Sequence, residues 1–442
     1  MEMEPPPKML ATLIITILLM IMMDTSAALA SDAVVLRGQA RALLVWKDSL
    51  DNQSQHALRS WGNTSAPCNW RGITCGSSVH WRRRRPVITG ISLRDMQLGG
   101  TLESLNFSAL RTLTRLDLSS NQLVGHIPCE IGHMKHLVAL KLSSNNLSSK
   151  IPNSIGGLTK LTSLYLYGNQ LYGQIPRELG YLLNLEDLQL GTNTLSGSIP
   201  RNLRNLTKLA VLSLWGNELS GLIPQELDYL GSLQYLDLSE NILSSSIPNS
   251  LGNLTKLTTL YLFQNQLSGQ IPRELGYLEN LGEVVLRDNT LTGSIPNSIS
   301  NLTKLTDLNL FSNQLSGQIP RELGYLEKLR YLELENNQLS GHIPQGLGYL
   351  VNLDYLYLSY NTLTGSIPED LGNLTQLRYL YLDNNKLSGH IPRELGYSVN
   401  LDDLSFRNNA LSGPIPSSLG NLTKLYKLDF GQNQLSGQIS CG

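Results

Sequence analysis

The chain has 442 residues, with 34 Lys or Arg against 35 Asp or Glu. This balance gives no support for nucleic-acid binding, which needs a strong basic excess. Length alone would suggest about three domains. An unbroken internal period, described below, instead predicts repeats that share one continuous core.

The first 30 residues have the organisation of a secretory signal peptide. Lys8 precedes an apolar run of 15 residues from Met9 to Met23, and Ala28-Leu29-Ala30 follows as a small-x-small cleavage site. The run is short for a membrane span, which needs about 20 residues, so cleavage is favoured over an uncleaved anchor. No second long apolar run follows. The sequence therefore predicts a secreted chain with no membrane span apart from the signal segment.

The four cysteines have different predicted fates in an oxidising compartment. Cys68 and Cys75 are close in sequence and are predicted to pair. Cys129 and Cys441 occupy the same slot of repeats that lie thirteen apart. At about 4.8 Å per stacked strand they are beyond disulfide reach, so each is a free or an intermolecular thiol. A cysteine pair without nearby histidines is poor evidence for a metal site.

Four consecutive arginines, Arg82 to Arg85, precede the repeats. A solvated loop is favoured for this run, and contact with an acidic wall polysaccharide is the minor alternative.

A ladder of asparagines then recurs every 24 residues. The surrounding phrase L-x-x-L-x-L-x-x-N-x-L is the leucine-rich repeat, and a fixed period of this size is typical of a solenoid. The ladder consists of Asn121, Asn145, Asn169, Asn193, Asn217, Asn241, Asn265, Asn289, Asn313, Asn337, Asn361, Asn385, Asn409 and Asn433.

One repeat explains the phrase. Leu305, Leu308 and Leu310 alternate with polar residues and predict a short strand with its apolar side inward. Asn313 has a donor and an acceptor for buried backbone groups in the turn that follows. The expected fold is an α/β solenoid, a right-handed curved superhelix with a parallel sheet on the concave face. Short 3-10 or helical turns form the convex face, and residues 87–442 hold about 15 repeats, the last incomplete.

The half-repeat Leu267-Ser268-Gly269-Gln270-Ile271-Pro272 resembles that of plant leucine-rich-repeat receptor-like kinases and receptor-like proteins. The segment containing Trp46, Trp61 and Cys68 to Cys75 is similar to the N-terminal cap of that family. The resemblance implies a cap over residues 31–86 and an extracellular, ligand-binding domain. The sequence contains neither the kinase nor the cysteine-bearing C-terminal cap that such proteins carry. A truncated product, a receptor-kinase fragment and a decoy-like secreted form are the expectations.

Strand residues that point out of the sheet line the predicted concave face, six, four, two and one positions before each ladder asparagine. Aromatic residues with a polar tip are typical of recognition surfaces. For a single tyrosine, structural packing is the favoured interpretation; for the cluster, ligand contact is favoured. The predicted ligand-binding residues are Tyr165, Tyr167, Trp215, Tyr235, Tyr261, Phe263, Phe311, Tyr331, Glu333, Tyr355, Tyr357, Tyr360, Tyr379 and Tyr381.

Nine Asn-x-Ser/Thr sequons are candidate glycosylation sites in a secreted chain. The last five share one slot, twelve residues after a ladder asparagine, in which Tyr and Asn alternate except at Tyr325 and Tyr349. The sequons are Asn52, Asn63, Asn106, Asn146, Asn205, Asn253, Asn301, Asn373 and Asn421.

No nucleophile, metal cluster or phosphate loop has a catalytic setting, so no enzyme, metal or cofactor is predicted. The predicted function is recognition of a peptide or protein at the concave face, for defence or developmental signalling. The chain would be secreted into the apoplast and act through a receptor-kinase co-receptor or as a decoy. The predicted acidic and aromatic face favours a ligand with basic groups. The alternatives are an inhibitor of a wall-degrading enzyme, similar to polygalacturonase-inhibiting proteins, and a non-functional fragment.

Overall fold

The computed structural model describes residues 35–62, 66–80 and 83–437. The predicted signal peptide, Asn63 and Cys441 lie outside these ranges. The chain divides into two compact units, Met1–Leu161 and Thr162–Gly442, and each is described by itself. Within the described ranges, no helix is both long and apolar enough to cross a membrane.

The first unit begins with two helices, over residues 35–49 and Asn52–Ala57. The Asp51 side chain caps the second by accepting from the backbone N–H of Ser54 at 2.7 Å. Trp46 and Trp61 are buried, with ring centroids 6.2 Å apart, and they give these helices a common aromatic core. The predicted disulfide joins Cys68 to Cys75 across a Cα–Cα distance of 5.5 Å.

Strands of the first unit continue from this cap. Ile73–His80 pairs antiparallel with Arg83–Ser92, which pairs in parallel with Arg115–Asp117, and that strand with Ala139–Lys141. The prediction of a loop for the arginine run is wrong for residues 83–85, because they form the start of a paired strand. A small second sheet contains Gly99–Gly100, Gln122–Gly125 and Asn146–Leu147, and the 3-10 turns are Pro67–Asn69, Phe107–Leu110, Cys129–His133 and Asn153–Gly157.

The second unit has one long parallel sheet of three-residue strands. Each strand pairs with its equivalents in the flanking repeats, so that Leu308 lies opposite Val284 and Leu332. The strands are Ser163–Tyr165, Asp187–Gln189, Val211–Ser213, Tyr235–Asp237, Thr259–Tyr261, Glu283–Val285, Asp307–Asn309, Tyr331–Glu333, Tyr355–Tyr357, Tyr379–Tyr381, Asp403–Ser405 and Lys427–Asp429.

A second parallel sheet follows the ladder asparagines of this unit. Its strands are Tyr172–Gly173, Thr194–Gly197, Glu218–Gly221, Ile242–Ser246, Gln266–Gln270, Thr290–Gly293, Gln314–Gln318, Gln338–Gly341, Thr362–Gly365, Lys386–Gly389, Ala410–Gly413 and Gln434–Leu435. At the glycine slot the backbone turns left-handed, with φ +77° at Gly317. Ser245 occupies the same slot at φ +70°, a strained conformation for a residue with a side chain.

Short 3-10 turns complete each repeat, and each begins after a proline. They are Arg177–Tyr181, Arg201–Asn205, Gln225–Tyr229, Asn249–Asn253, Arg273–Tyr277, Asn297–Asn301, Arg321–Tyr325, Gln345–Tyr349, Glu369–Asn373, Arg393–Tyr397 and Ser417–Asn421. Parallel sheets with 3-10 turns confirm the predicted α/β solenoid.

The ladder asparagines bind the repeats together through buried hydrogen bonds. The Nδ2 of Asn313 donates to the carbonyl oxygens of Leu310 in its own repeat and Leu286 in the preceding one, at 3.2 and 3.1 Å. Its Oδ1 accepts from the backbone N–H of Leu291 at 3.0 Å. One amide therefore satisfies backbone groups of two repeats that water does not reach.

We expect Asn313→Ala to destabilise its repeat by about 3 kcal/mol, because it leaves buried backbone groups without partners. Hydrogen exchange followed by mass spectrometry checks this, since it measures local stability in a repeat array. The amide of Leu291 should exchange much faster. Exposed Asn297, whose side chain makes no hydrogen bond within the described residues, supplies the control Asn297→Ala. Equal exchange in both variants would contradict the structural role.

Candidate binding face

The outward side of the long sheet in the second unit is termed the strand face. In each strand the central residue is buried and its neighbours are partly exposed, as in Tyr331, Leu332 and Glu333. All fourteen residues predicted to bind ligand lie at outward positions, and none of them is buried. Trp215 and Tyr360 are the most exposed of this set, with 37% and 60% of their surface accessible.

Four tyrosines of the strand face use their hydroxyls within the protein. Tyr235 donates to Asp237 at 3.1 Å and Tyr381 to Asp403 at 2.8 Å. Tyr165 donates to Asp187 and Tyr261 to Glu283. Burial, and then the bond to Asp187, raise the pKa of Tyr165 to about 12. For these four the structural interpretation has direct support, because each hydroxyl already has an acceptor.

The tyrosine patch consists of Tyr331, Tyr355, Tyr357, Tyr379 and Tyr381. Ring centroids of Tyr355 and Tyr379 are 4.7 Å apart with 15° between planes, and Tyr357 and Tyr381 repeat this geometry at 4.7 Å and 14°. Tyr331 continues the first stack at 5.0 Å from Tyr355. Stacked rings cover each other's faces, so each offers its edge and hydroxyl to a ligand.

The tyrosine hydroxyls of this patch differ in their partners. Within the described residues, those of Tyr331, Tyr355 and Tyr357 make no hydrogen bond. Burial, and then Tyr381, raise the pKa of Tyr357, so its hydroxyl remains protonated and can both donate and accept. The sequence pattern did not separate these tyrosines from the committed ones, because the difference depends on whether a carboxylate lies one strand away.

Arginines border the tyrosine patch. The Arg330 guanidinium lies 5.4 Å from the ring centre of Tyr331, and Arg378 lies 5.3 Å from that of Tyr379. Each also pairs with a carboxylate of the next repeat, Arg330 with Asp354 at 2.5 Å and Arg378 with Asp402 at 2.6 Å. These pairs are exposed and are worth little in stability. They hold the cations at the edge of the patch.

The strand face also carries a carboxylate group, defined as Asp307, Glu333 and Glu335. Burial raises the pKa of Asp307 to about 7, with further contributions from Glu333 and Glu283, and burial raises the pKa of Glu335 to about 7 as well. Asp307 Oδ1 and Glu335 Oε2 are buried without a hydrogen-bond partner in the described part of the chain. Glu333 accepts from Asn309 at 2.6 Å.

The other predicted sites are exposed or lie outside the described residues. The eight described sequon asparagines, all except Asn63, are exposed, and their glycosylation remains a prediction. Cys129 is a free, exposed thiol. The described residues contain no cluster of three or more His, Cys, Asp or Glu suited to a metal ion.

Comparison with protein families supports the interpretation of the repeats. A family described as a leucine-rich repeat region matches residues 91–223, 215–366 and 312–439, and a leucine rich repeat N-terminal domain matches residues 36–76. The chain is 42% identical over 104 residues to the receptor-like kinase RGI3 of Arabidopsis thaliana. That alignment covers 23% of this chain and 9% of the relative, so the chain spans only a small part of it.

Two solved receptor structures are similar over longer ranges. The plant peptide hormone receptor RGFR1, solved with RGF2, has a TM-score of 0.71 at 36% identity and covers 78% of this chain and 59% of its own. The Arabidopsis receptor kinase HAESA, solved with the peptide hormone IDA and the co-receptor SERK1, has a TM-score of 0.57 at 30% identity. It covers 92% of this chain and 83% of its own.

The carboxylate group generates a prediction about pH. A carboxyl whose pKa rises from about 4 in the unfolded chain to about 7 in the folded one binds more protons when folded. The stability of the fold therefore falls as pH rises from 4 through 7. We expect a lower urea midpoint at pH 8 than at pH 5, with a smaller difference in the double variant Asp307→Asn, Glu335→Gln. Exposed Glu327 supplies the control Glu327→Gln, which should retain the full difference.

Proposed function

Since this chain belongs to the leucine-rich-repeat family and is homologous to plant leucine-rich-repeat receptor kinases, we propose that it is an extracellular ligand-recognition protein. Its ligand is a peptide or a protein segment that lies on the strand face, over the tyrosine patch. One observation carries the proposal: Tyr331, Tyr355 and Tyr357 present hydroxyls without protein partners on a rigid, stacked platform. The ligands of RGFR1 and HAESA are consistent with this class.

The chemistry of the patch favours a peptide over a carbohydrate. Sugars bind tyrosine through open ring faces, whereas the stacked rings of Tyr355 and Tyr379 cover one another. A phenol hydroxyl donates and accepts hydrogen bonds, which matches the alternating N–H and C=O groups of an extended peptide backbone. Aromatic rings fixed by packing also lose little conformational freedom when a partner binds, which increases affinity.

The carboxylate group favours a basic side chain in the ligand. Asp307, Glu333 and Glu335 lie on strands adjacent to the tyrosine patch, with Tyr331 and Glu333 on the same strand. Arg287 is the nearby cation, but it is paired with Asp288 at 2.5 Å and lies over Phe263 at 4.4 Å. A ligand ammonium or guanidinium next to the carboxylates would gain a charge-assisted interaction.

Recognition reaches the cell through a partner in this proposal. The repeats bind and do not catalyse, so a signal passes through a kinase-bearing co-receptor, or the ligand is sequestered by a decoy. The HAESA complex contains such a co-receptor, which supports the first route. The proposed site of action is the apoplast, for defence or developmental signalling.

Binding to synthetic peptides tests the function. The secreted chain is immobilised and exposed to peptides of one length that carry no, two or four basic residues. We expect affinity to rise with basic residues. Tyr355→Phe and Tyr357→Phe should each weaken binding by up to about tenfold, because each removes one hydrogen bond.

Tyr172 supplies the matched control. It is half exposed and lies on the second sheet, away from the strand face, so Tyr172→Phe should leave affinity unchanged. Capture of no peptide, or equal affinities for all three variants, would contradict the assignment of the tyrosine patch.

A further inference from the structure

The side of the repeats formed by the 3-10 turns carries a second pattern that ligand recognition does not use. Tyr277 and Asn301 are the last residues of consecutive turns, Arg273–Tyr277 and Asn297–Asn301. Tyr277 is 56% exposed, and Asn301 begins the sequon Asn301-Leu302-Thr303. A row of exposed aromatic rings usually marks a surface that something covers. The other tyrosines of this slot are Tyr181, Tyr229, Tyr325, Tyr349 and Tyr397, with 53% to 66% exposure.

Tyr277 and the sequon share a cleft. A surface cleft of about 520 Å³ has Tyr277, Asn280, Asn301, Thr303 and Lys304 among its lining residues, a volume within the range of small-molecule sites. The acceptor asparagine and the sequon threonine are thus both in its wall, opposite the aromatic ring. The cleft combines an apolar plate with polar edges, and this is the pattern of a pyranose ring.

A polar bracket closes the other end of the cleft. The Nζ of Lys304 donates to the Oδ1 of Asn280 at 2.6 Å, and the Asn280 Nδ2 donates to the carbonyl oxygen of Thr255 at 2.9 Å. The bracket recurs beside two other sequons of this slot, as Lys208 to Asn184 at 2.8 Å and Lys424 to Asn400 at 2.6 Å. A repeated Tyr-x-x-Asn followed by Asn-Leu-Thr-Lys 24 residues later produces it.

The asparagines of the slot turn their Nδ2 atoms toward the tyrosine of the preceding repeat. In Asn205 this atom donates to the carbonyl oxygen of Gly180 at 3.4 Å, and in Asn253 it donates to Asp228 at 3.3 Å. Gly180 and Asp228 directly precede Tyr181 and Tyr229. A group attached at Nδ2 therefore begins beside the tyrosine ring.

We propose that Asn301 carries an N-linked glycan whose first sugars lie in this cleft against the Tyr277 ring. In the covalent step, C1 of an N-acetylhexosamine leaves the pyrophosphate of its lipid-linked donor and bonds to Nδ2. One amide proton is lost and balances the released pyrophosphate. The second Nδ2 hydrogen remains for the backbone. The glycan goes beyond ligand recognition: it occupies the side of the turns and leaves the strand face open.

Site-resolved glycopeptide mass spectrometry of the full chain, secreted from insect cells, tests the proposal. Asn301 should be occupied, and Thr303→Ala should remove its glycan. Endoglycosidase release from the native protein should be slow at Asn301 and about fivefold faster in Tyr277→Ala, because the ring contact is lost.

Tyr325 offers the matched control. It occupies the same slot, but the next repeat has Tyr349 where a sequon would lie, so Tyr325→Ala should leave the release rate at Asn301 unchanged. An unoccupied Asn301, or equal rates in the two alanine variants, overturns the proposal.

A second measurement uses the unsubstituted protein, so it does not depend on folding of a variant. The N-acetyl methyl protons of the Asn301 glycan should resonate upfield because of the Tyr277 ring current. Release by endoglycosidase should abolish the shifted signal. A methyl resonance at the position of a free glycan overturns the proposal.

Discussion

The side-chain amide of the ladder asparagine is the interaction on which the rest of the second unit depends. Each amide donates to carbonyl oxygens 3 and 27 residues before it and accepts from an N–H 22 residues before it, as at Asn337. These distances equal one repeat and its neighbour, so the amide fixes one repeat against the next as well as closing its own turn. The leucines then fill a core whose dimensions are already set, and many are fully buried.

That fixed register determines which residues meet across the strands. Position n of one strand lies beside position n + 24 of the next, so identical slots form rows along the sheet. A row of tyrosines must stack, as Tyr355 and Tyr379 do. A tyrosine followed 22 residues later by a carboxylate forms a hydrogen bond, as Tyr381 and Asp403 do. The same residue type is therefore structural in one repeat and available to a ligand in another.

Much of this was predictable because the repeat is strict. The leucine pattern and the ladder gave the strands, the outward slots and the solenoid, and the Cys68–Cys75 spacing gave the disulfide. The state of each tyrosine hydroxyl was not predictable, since it depends on rotamers and on the neighbouring repeat. The pairing of residues 83–85 into a strand was missed because charge, taken alone, suggested a loop, whereas their backbone pairs with Ser78 to His80. The cleft between Tyr277 and Asn301 required two repeats to be considered together.

The carboxylate group connects the stability of the fold with its proposed use. Asp307 and Glu335 are buried enough to raise their pKa values to about 7, and a fold selected only for stability would replace them with apolar residues. Binding surfaces commonly retain groups that are unfavourable in the free protein. A cationic ligand group beside Asp307 and Glu335 favours their charged forms and lowers both pKa values. Binding would then release protons near neutral pH, and its free energy would include the recovery of stability that the unliganded sheet lacks.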